Sequence, residues 1–398
     1  MLIQELRYII QSAHINFLYG SGLSLPYLST LGNIETYLTR LNNDFNHHVI
    51  SEDQFDIVRS SLYKAYCEEV IIPNFNFPHN DPKFVATSSA YMDFFCIWND
   101  LINKRSTMLL DKQVNMFTTN IDLLVEETLS ASELELNDGF RGTLKQTFNE
   151  SNFQISLSKS SMQFHKAAEI PIFNLMKVHG AVNWEEENGL IHSNIGRIKK
   201  VKEQLEAIPA TNFVSLNRHD PVTHKDKEKT YDDLVSEAST IAMTDPKVFN
   251  NFFKEYDRIL MINPTKEKFK TTVMDYHFYE LMRILSNSLE RENSVLFVMG
   301  FSFADEHLAE ITIRAASINP TLQVVIFAYG DDDKDKYFNN LKISGHGANN
   351  NIDILTPTEF RNSNNEKYNT LCSSISHFDL PTINNVFRTI STDIHSAL

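Results

Sequence analysis

Four short clusters in this chain bring together small, hydroxylic, amide and ionisable residues of the kinds that carry chemistry. They are Gly20-Ser21-Gly22-Leu23-Ser24, Thr118-Thr119-Asn120-Ile121-Asp122, Val178-His179-Gly180 and Gly300-Phe301-Ser302-Phe303-Ala304-Asp305. His179 is the side chain best placed to exchange a proton near neutral pH. Three roles are open to it: a core histidine satisfied by backbone, a metal ligand, or a general base. No carboxylate or second histidine stands nearby at ligand spacing, which weighs against the metal. Asn120 and Asp122 offer hydrogen-bonding groups to a ribose or an attacking water, and the same residue types cap helices. Gly20 and Gly22 let a backbone approach a phosphate and offer it N–H groups, although a tight turn needs the same glycines. Leu25 stands where a dinucleotide fingerprint has its third glycine, and no G-K-[ST] follows, so this is not a P-loop. Gly300 and Ser302 suit the lining of a nucleotide pocket. Asp305 and Glu306 suit the positive end of a helix, where capping alone accounts for them.

Each cluster follows an apolar run of strand character: Ile15 to Tyr19, Val114 to Phe117, Ile172 to Val178 and Val295 to Met299. In open α/β sheets ligands bind beyond the carboxyl ends of the strands, so four such ends would deliver these residues to one edge. The strand at 295–299, a helix over 306–318 and a strand over 323–328 make a β-α-β alternation. That pattern predicts an α/β fold, a Rossmann-like parallel sheet covered by helices. The expected organisation is a nucleotide-binding core over 1–32 and 111–330, with a polar insertion at about 185–255. Helical spacing at Ile34, Tyr37, Leu38 and Leu41, and at Phe55, Val58, Leu62 and Ala65, marks 33–110 as a helical insertion. Residues 331–398 form a C-terminal extension whose asparagine clusters read as loops. Arg258 to Ile262 predicts another strand, and Val273, His277, Leu281, Ile284 and Leu285 predict an amphipathic helix.

Hydrophobic residues make up 42% of the 398 and charged residues 22%, as in globular proteins, and the net charge of −15 opposes direct nucleic-acid or anionic-membrane binding. No apolar run reaches the roughly 20 residues of a membrane span and the N-terminus lacks a signal-peptide pattern, so a cytoplasmic protein is expected. The lysine-rich run from His224 to Lys229 is interleaved with acids and reads as a solvated loop. His192, His219 and His224 lie in polar segments and are expected at the surface. The three cysteines, Cys67, Cys96 and Cys372, form no C-x-x-C pair. They exclude a zinc ribbon and read as buried small hydrophobes.

In this order, the four clusters resemble the motifs of the sirtuin family: G-A-G-x-S, T-Q-N-I-D, the catalytic H-G and a later G-[TS]-S. The resemblance covers the discontinuous core, about half of the chain. It implies NAD as substrate, with Asn120 and His179 catalytic, and Gly20, Ser21, Gly22, Ser24, Thr119, Asp122, Gly300 and Ser302 binding the nucleotide. Two departures set this chain apart from deacetylating sirtuins. It lacks their four-cysteine zinc module, so no zinc is expected, and Leu25-Pro26-Tyr27-Leu28 replaces their I-P-D-F-R. The phrases Val178-His179-Gly180-Ala181-Val182-Asn183-Trp184 and Gly300 to Leu308 look like the bacterial sirtuin-like branch of anti-phage defence. That likeness implies an NAD+ hydrolase releasing nicotinamide and ADP-ribose, a homo-oligomer, and a HerA-type ATPase partner. The alternatives are NAD-dependent protein deacylation and a non-catalytic subunit sensing NAD or ADP-ribose.

Overall fold

A computed structural model describes residues 1–30, 32–105, 110–163, 167–219, 226–243, 245–263 and 276–395. Val273, His224 and part of the lysine-rich run lie outside them, as do the side chains of His219 and Asp226. The protein is built on a seven-stranded parallel sheet flanked by helices, a Rossmann-like α/β fold. The strands are β1 (His14–Tyr19), β2 (Gln113–Thr118), β3 (Glu135–Asn137), β4 (Ile172–Lys177), β5 (Ser294–Met299), β6 (Gln323–Phe327) and β7 (Ile352–Leu355). Their order across the sheet is β7-β6-β5-β1-β2-β4-β3. β1 is therefore central: the chain passes to β2, out to the edge at β3 and back to β4, then crosses to β5 and winds outward through β6 and β7. The strand order reverses between β1 and β5, the position where such sheets open a crevice for ligands.

These strands form because their apolar runs are covered on both faces. Every residue of β4 and β5 is buried. On one face the helices Pro82–Asn103 and Leu380–His395 pack together over the sheet. Phe17 of β1 meets Phe94 and Trp98 edge-on at 5.1 and 4.9 Å, and Phe387 meets Trp98 at 4.9 Å and Phe297 of β5 at 5.5 Å. The expected helical block between the first two strands is present, and its last helix belongs to the sheet's own core. The sheet also continues past residue 330, through β7.

Polar side chains run through the middle of this apolar sheet. Asn16, Asn115, Asn174 and Asn137 stand on one rung of four neighbouring strands. Asn115 donates to Asn16 Oδ1 (2.9 Å), Asn174 to Asn115 Oδ1 (3.1 Å) and Asn137 to Asn174 Oδ1 (2.9 Å). Asn16 closes the row by donating to the carbonyl of Val295 at 3.2 Å. A strand shifted by one residue would turn its amide to the other face and leave buried polar groups unpaired, so the row pins the register.

Several readings of local structure differ from the expectation. The described end of the lysine-rich run, Asp226–Glu228, is not a loop, because it pairs antiparallel with Asn217–His219. Asn364 is not in a loop either, since it ends the helix Pro357–Asn364, where its buried amide donates to the carbonyl of Phe360 at 2.9 Å. Arg258 to Ile262 is irregular, with Arg258 exposed and Ile259, Met261 and Ile262 buried, and it makes a single bridge, Met261 to Gly180, because it crosses the end of the sheet instead of joining it. His192 is buried, its Nδ1 at 3.1 Å from the carbonyl of Gln146, because Trp184–Glu187 and Leu190–Ser193 form a hairpin that extends a small antiparallel sheet. Cys67 and Cys372 are buried, but Cys96 is exposed on the outer side of helix Pro82–Asn103. The helix expected from Val273 is described over Tyr276–Glu290. No described helix is long and apolar enough to cross a membrane.

Candidate functional site

Strand pairing sets the four clusters level with one another. Tyr19 pairs with Thr118 and with Met299, and Thr118 pairs with Lys177. Asn120 and His179 therefore each stand two residues beyond the same rung, on adjacent strands. Gly20 and Gly300 stand one residue beyond it, at the reversal of strand order.

The glycines there serve close backbone approach. A Cβ on Gly20 would lie 2.8 Å from the carbonyl oxygen of Gly300, and one on Gly22 would lie 2.9 Å from it. The Gly22 N–H donates to that carbonyl at 3.1 Å, and the Leu23 N–H donates to Gly20 O. These two N–H groups are thus spent inside the protein, and Ser21 is the exposed residue of the loop. Gly300, at φ +58°, needs a backbone that tolerates the left-handed region. Buried Phe303 also holds a left-handed backbone, φ +56°, a strained state for a bulky residue. This turn carries half-buried Ser302 and leads into Asp305.

The second cluster holds a directional chain of hydrogen bonds. Ser24 Oγ donates to Asp122 Oδ2 at 2.7 Å, because a carboxylate can only accept. Its proton committed, Ser24 Oγ accepts from Asn120 Nδ2 at 3.0 Å. That fixes which end of the Asn120 amide faces inward, and its Oδ1 is buried with no partner among the described residues. The other oxygen of Asp122 accepts from the Leu124 N–H at 3.1 Å. Thr118 Oγ1 accepts from the Asn120 N–H at 2.9 Å and donates to Tyr19 O at 3.0 Å. Thr119, half-buried, donates its N–H to Tyr19 O. Burial, with Asp122 and Glu126 among the nearby charges, pushes the Tyr19 and Tyr91 phenols well above their ordinary range.

Lys177, the last residue of β4, is 4% exposed and pairs with Glu126 at 3.1 Å. It also donates to the carbonyl of Asp122. A buried ammonium is costly unless paired, so this lysine ties the 118–122 loop to the strand that carries His179. An ionisable residue at the end of a strand buried on both faces was its signal in the sequence.

Beyond β4 the chain turns sharply. Gly180 has φ +73°, and a Cβ there would lie 2.2 Å from the carbonyl of Leu260. The carbonyl of His179 accepts from the Ile262 N–H at 2.9 Å. The His179 ring reaches across the reversal point, its Nε2 at 3.0 Å from Asp305 Oδ2. Asp305 Oδ1 caps the helix Glu306–Ile318, accepting from the N–H groups of His307 and Leu308 at 3.0 and 3.2 Å. Burial by itself would raise the Asp305 carboxyl. The hydrogen bond and charge of His179, with the backbone donors, instead hold it at about 2.

The two catalytic candidates and the glycine loops thus share one sheet edge, and the structure adds Lys177, Glu126 and Asp305 to them. Ser24 and Asp122 are occupied in orienting Asn120, a role their spacing in sequence did not suggest. Among the described residues no group of three or more His, Cys, Asp or Glu is placed to hold a metal ion. An open groove of about 530 Å³ near the C-terminus, lined by Lys367, Tyr368, Asn369 and Arg388, contains none of these residues. Neither a scan against protein-family models nor a search of curated proteins finds a match to this chain.

Proposed function

We propose that the protein hydrolyses NAD+ to nicotinamide and ADP-ribose, as an NAD-depleting enzyme of the sirtuin-like kind, acting in anti-phage defence. The observation that carries this reading is the buried Oδ1 of Asn120, without a partner among the described residues and held level with His179 beside the reversal of strand order. The Ser24–Asp122 chain presents that oxygen as an acceptor, suited to orient a water or a ribose hydroxyl. The Gly20-Ser21-Gly22 and Gly300-Phe301-Ser302 turns would face the diphosphate and adenosine side. Thr119, whose N–H donates to Tyr19 O at the end of β1, would add to the nucleotide contacts beside Asn120.

Cleavage of the glycosidic bond returns its electron pair to the pyridinium nitrogen while positive charge builds on the ribose. Orienting the nucleophile and taking its proton at His179 would lower the barrier, and general-base help is worth roughly 10²–10⁴-fold. The reading calls on no metal ion for either step. It carries with it a homo-oligomer and a HerA-type ATPase partner, in the cytoplasm.

The test is release of nicotinamide and ADP-ribose from NAD+, with and without the HerA-type ATPase and with and without an acylated peptide. His179→Ala and Asn120→Ala are expected to fold and to release little nicotinamide. Wild-type turnover in both would refute the assignment. Release that requires the acylated peptide would favour deacylation, and stoichiometric binding without turnover would favour a sensing subunit.

A further inference from the structure

Asp305 has two jobs that pull on different atoms. Oδ1 is filled by the helix-capping N–H groups of His307 and Leu308, and Oδ2 faces the His179 ring at 3.0 Å. A carboxylate has no proton to give, so the contact requires a proton on His179 Nε2. In a neutral imidazole the other nitrogen, Nδ1, must then hold the lone pair. We propose that Asp305 is the positioning residue that locks His179 in its Nε2–H tautomer and makes Nδ1 the atom that receives the proton in NAD+ hydrolysis. The role rests on the hydrolase reading, whereas the tautomer does not.

The step balances. Water oxygen bonds to the anomeric carbon, and the carbon–nitrogen bond breaks with its electron pair passing to the nicotinamide nitrogen. One water proton moves to His179 Nδ1, and the resulting imidazolium keeps its Nε2–H on the Asp305 carboxylate until Nδ1 returns the proton to solvent. The carboxylate is ionised across the whole working range, held at about 2, so it opposes the imidazolium charge at every neutral pH. Helix capping adds stiffness, because the same carboxylate cannot rotate away without releasing two N–H groups. A capping aspartate alone would leave the ring free to choose either tautomer.

Asparagine separates the two jobs. In Asp305→Asn the amide oxygen can keep the cap, Asn being as good a cap as Asp. Its NH₂ then faces the ring, where it can only donate, so Nε2 becomes the acceptor and the proton moves to Nδ1. Nitrogen-15 spectra of histidine-labelled full-length protein above pH 8 report the tautomer directly. The expected result is Nε2–H in the wild type and Nδ1–H in Asp305→Asn, with kcat for nicotinamide release down about 10²–10⁴-fold and KM for NAD+ little changed. The wild-type spectrum needs no variant to fold. An Nδ1–H ring in the wild type, or wild-type kcat in a folded Asp305→Asn, overturns the proposal. A wild-type Nε2–H ring in a protein that releases no nicotinamide under any condition would refute the hydrolase role and leave the tautomer assignment standing.

Discussion

Lys177→Met offers a sharp test of how this site is held together. The substitution keeps most of the stem and removes the ammonium that pairs with Glu126 and donates to Asp122 O. Lys177 is 4% exposed and Glu126 23%, so the lost pair is mostly sheltered from water. Removing one partner of a buried pair costs about 3–5 kcal/mol, and the residual exposure of Glu126 places this case near 3 kcal/mol. The cost should depend on pH. Burial already raises the Glu126 carboxyl, and Lys177 is the charge that draws it back. Without Lys177 the folded carboxyl rises further, so folded protein holds the proton more tightly than unfolded chain. The deficit against wild type is then smallest near and below the ordinary value of 4.5, and grows as pH climbs through the new folded value. Urea unfolding of Lys177→Met, Glu126→Leu and the double variant at pH 5 and pH 8 measures both effects. A coupling of about 2 kcal/mol at pH 8, shrinking at pH 5, is expected. Coupling below about 0.5 kcal/mol, or a deficit equal at both pH values, would refute the reasoning.

Two further outcomes follow from the turn and from the cap. Gly180→Ala combines φ +73° with a Cβ 2.2 Å from Leu260 O, so the His179 turn must shift. A loss of about 2–4 kcal/mol in thermal unfolding and reduced nicotinamide release are expected, and an unchanged melting temperature would contradict the clash. Asp305, 21% exposed in its side chain and held at about 2 against an ordinary 3.8, stabilises the fold above pH 3.8 and loses that contribution as pH falls toward 2. The gap corresponds to about 2 kcal/mol, so the stability difference between wild type and Asp305→Asn should close over that acid range.

The sheet was legible where burial on both faces writes an unbroken apolar run ending in a small or polar residue, as at β1, β2, β4, β5 and β6. It was not legible at β3 or β7, three and four residues long and set among polar neighbours. The Arg258 to Ile262 run shows the converse error, since an apolar segment can be buried as coil across a sheet edge. His192 was hidden for a related reason, its polar neighbours saying nothing of the hairpin that encloses it. At the sheet edge, residue types and strand ends sufficed to bring Asn120 and His179 level on neighbouring strands. The Ser24–Asp122 bond and the His179–Asp305 contact join residues 98 and 126 positions apart, and no local pattern encodes them. Asp305 also disguised itself, because capping a helix was a complete explanation of an aspartate at that place.

The asparagine row across the sheet bears on how freely this architecture could vary. In a hairpin the turn sets the register, so a change in its length slides one strand along the other. Here the chain leaves β1 at Tyr19 and enters β2 at Gln113, and between β2 and β4 it makes another long excursion. The alignment of those strands is written into the strands themselves, as amides that match only at one offset. Such a sheet carries its own ruler. Helices and loops between the strands could lengthen, shrink or be exchanged for new binding surfaces, and Asn120 and His179 would still come out level.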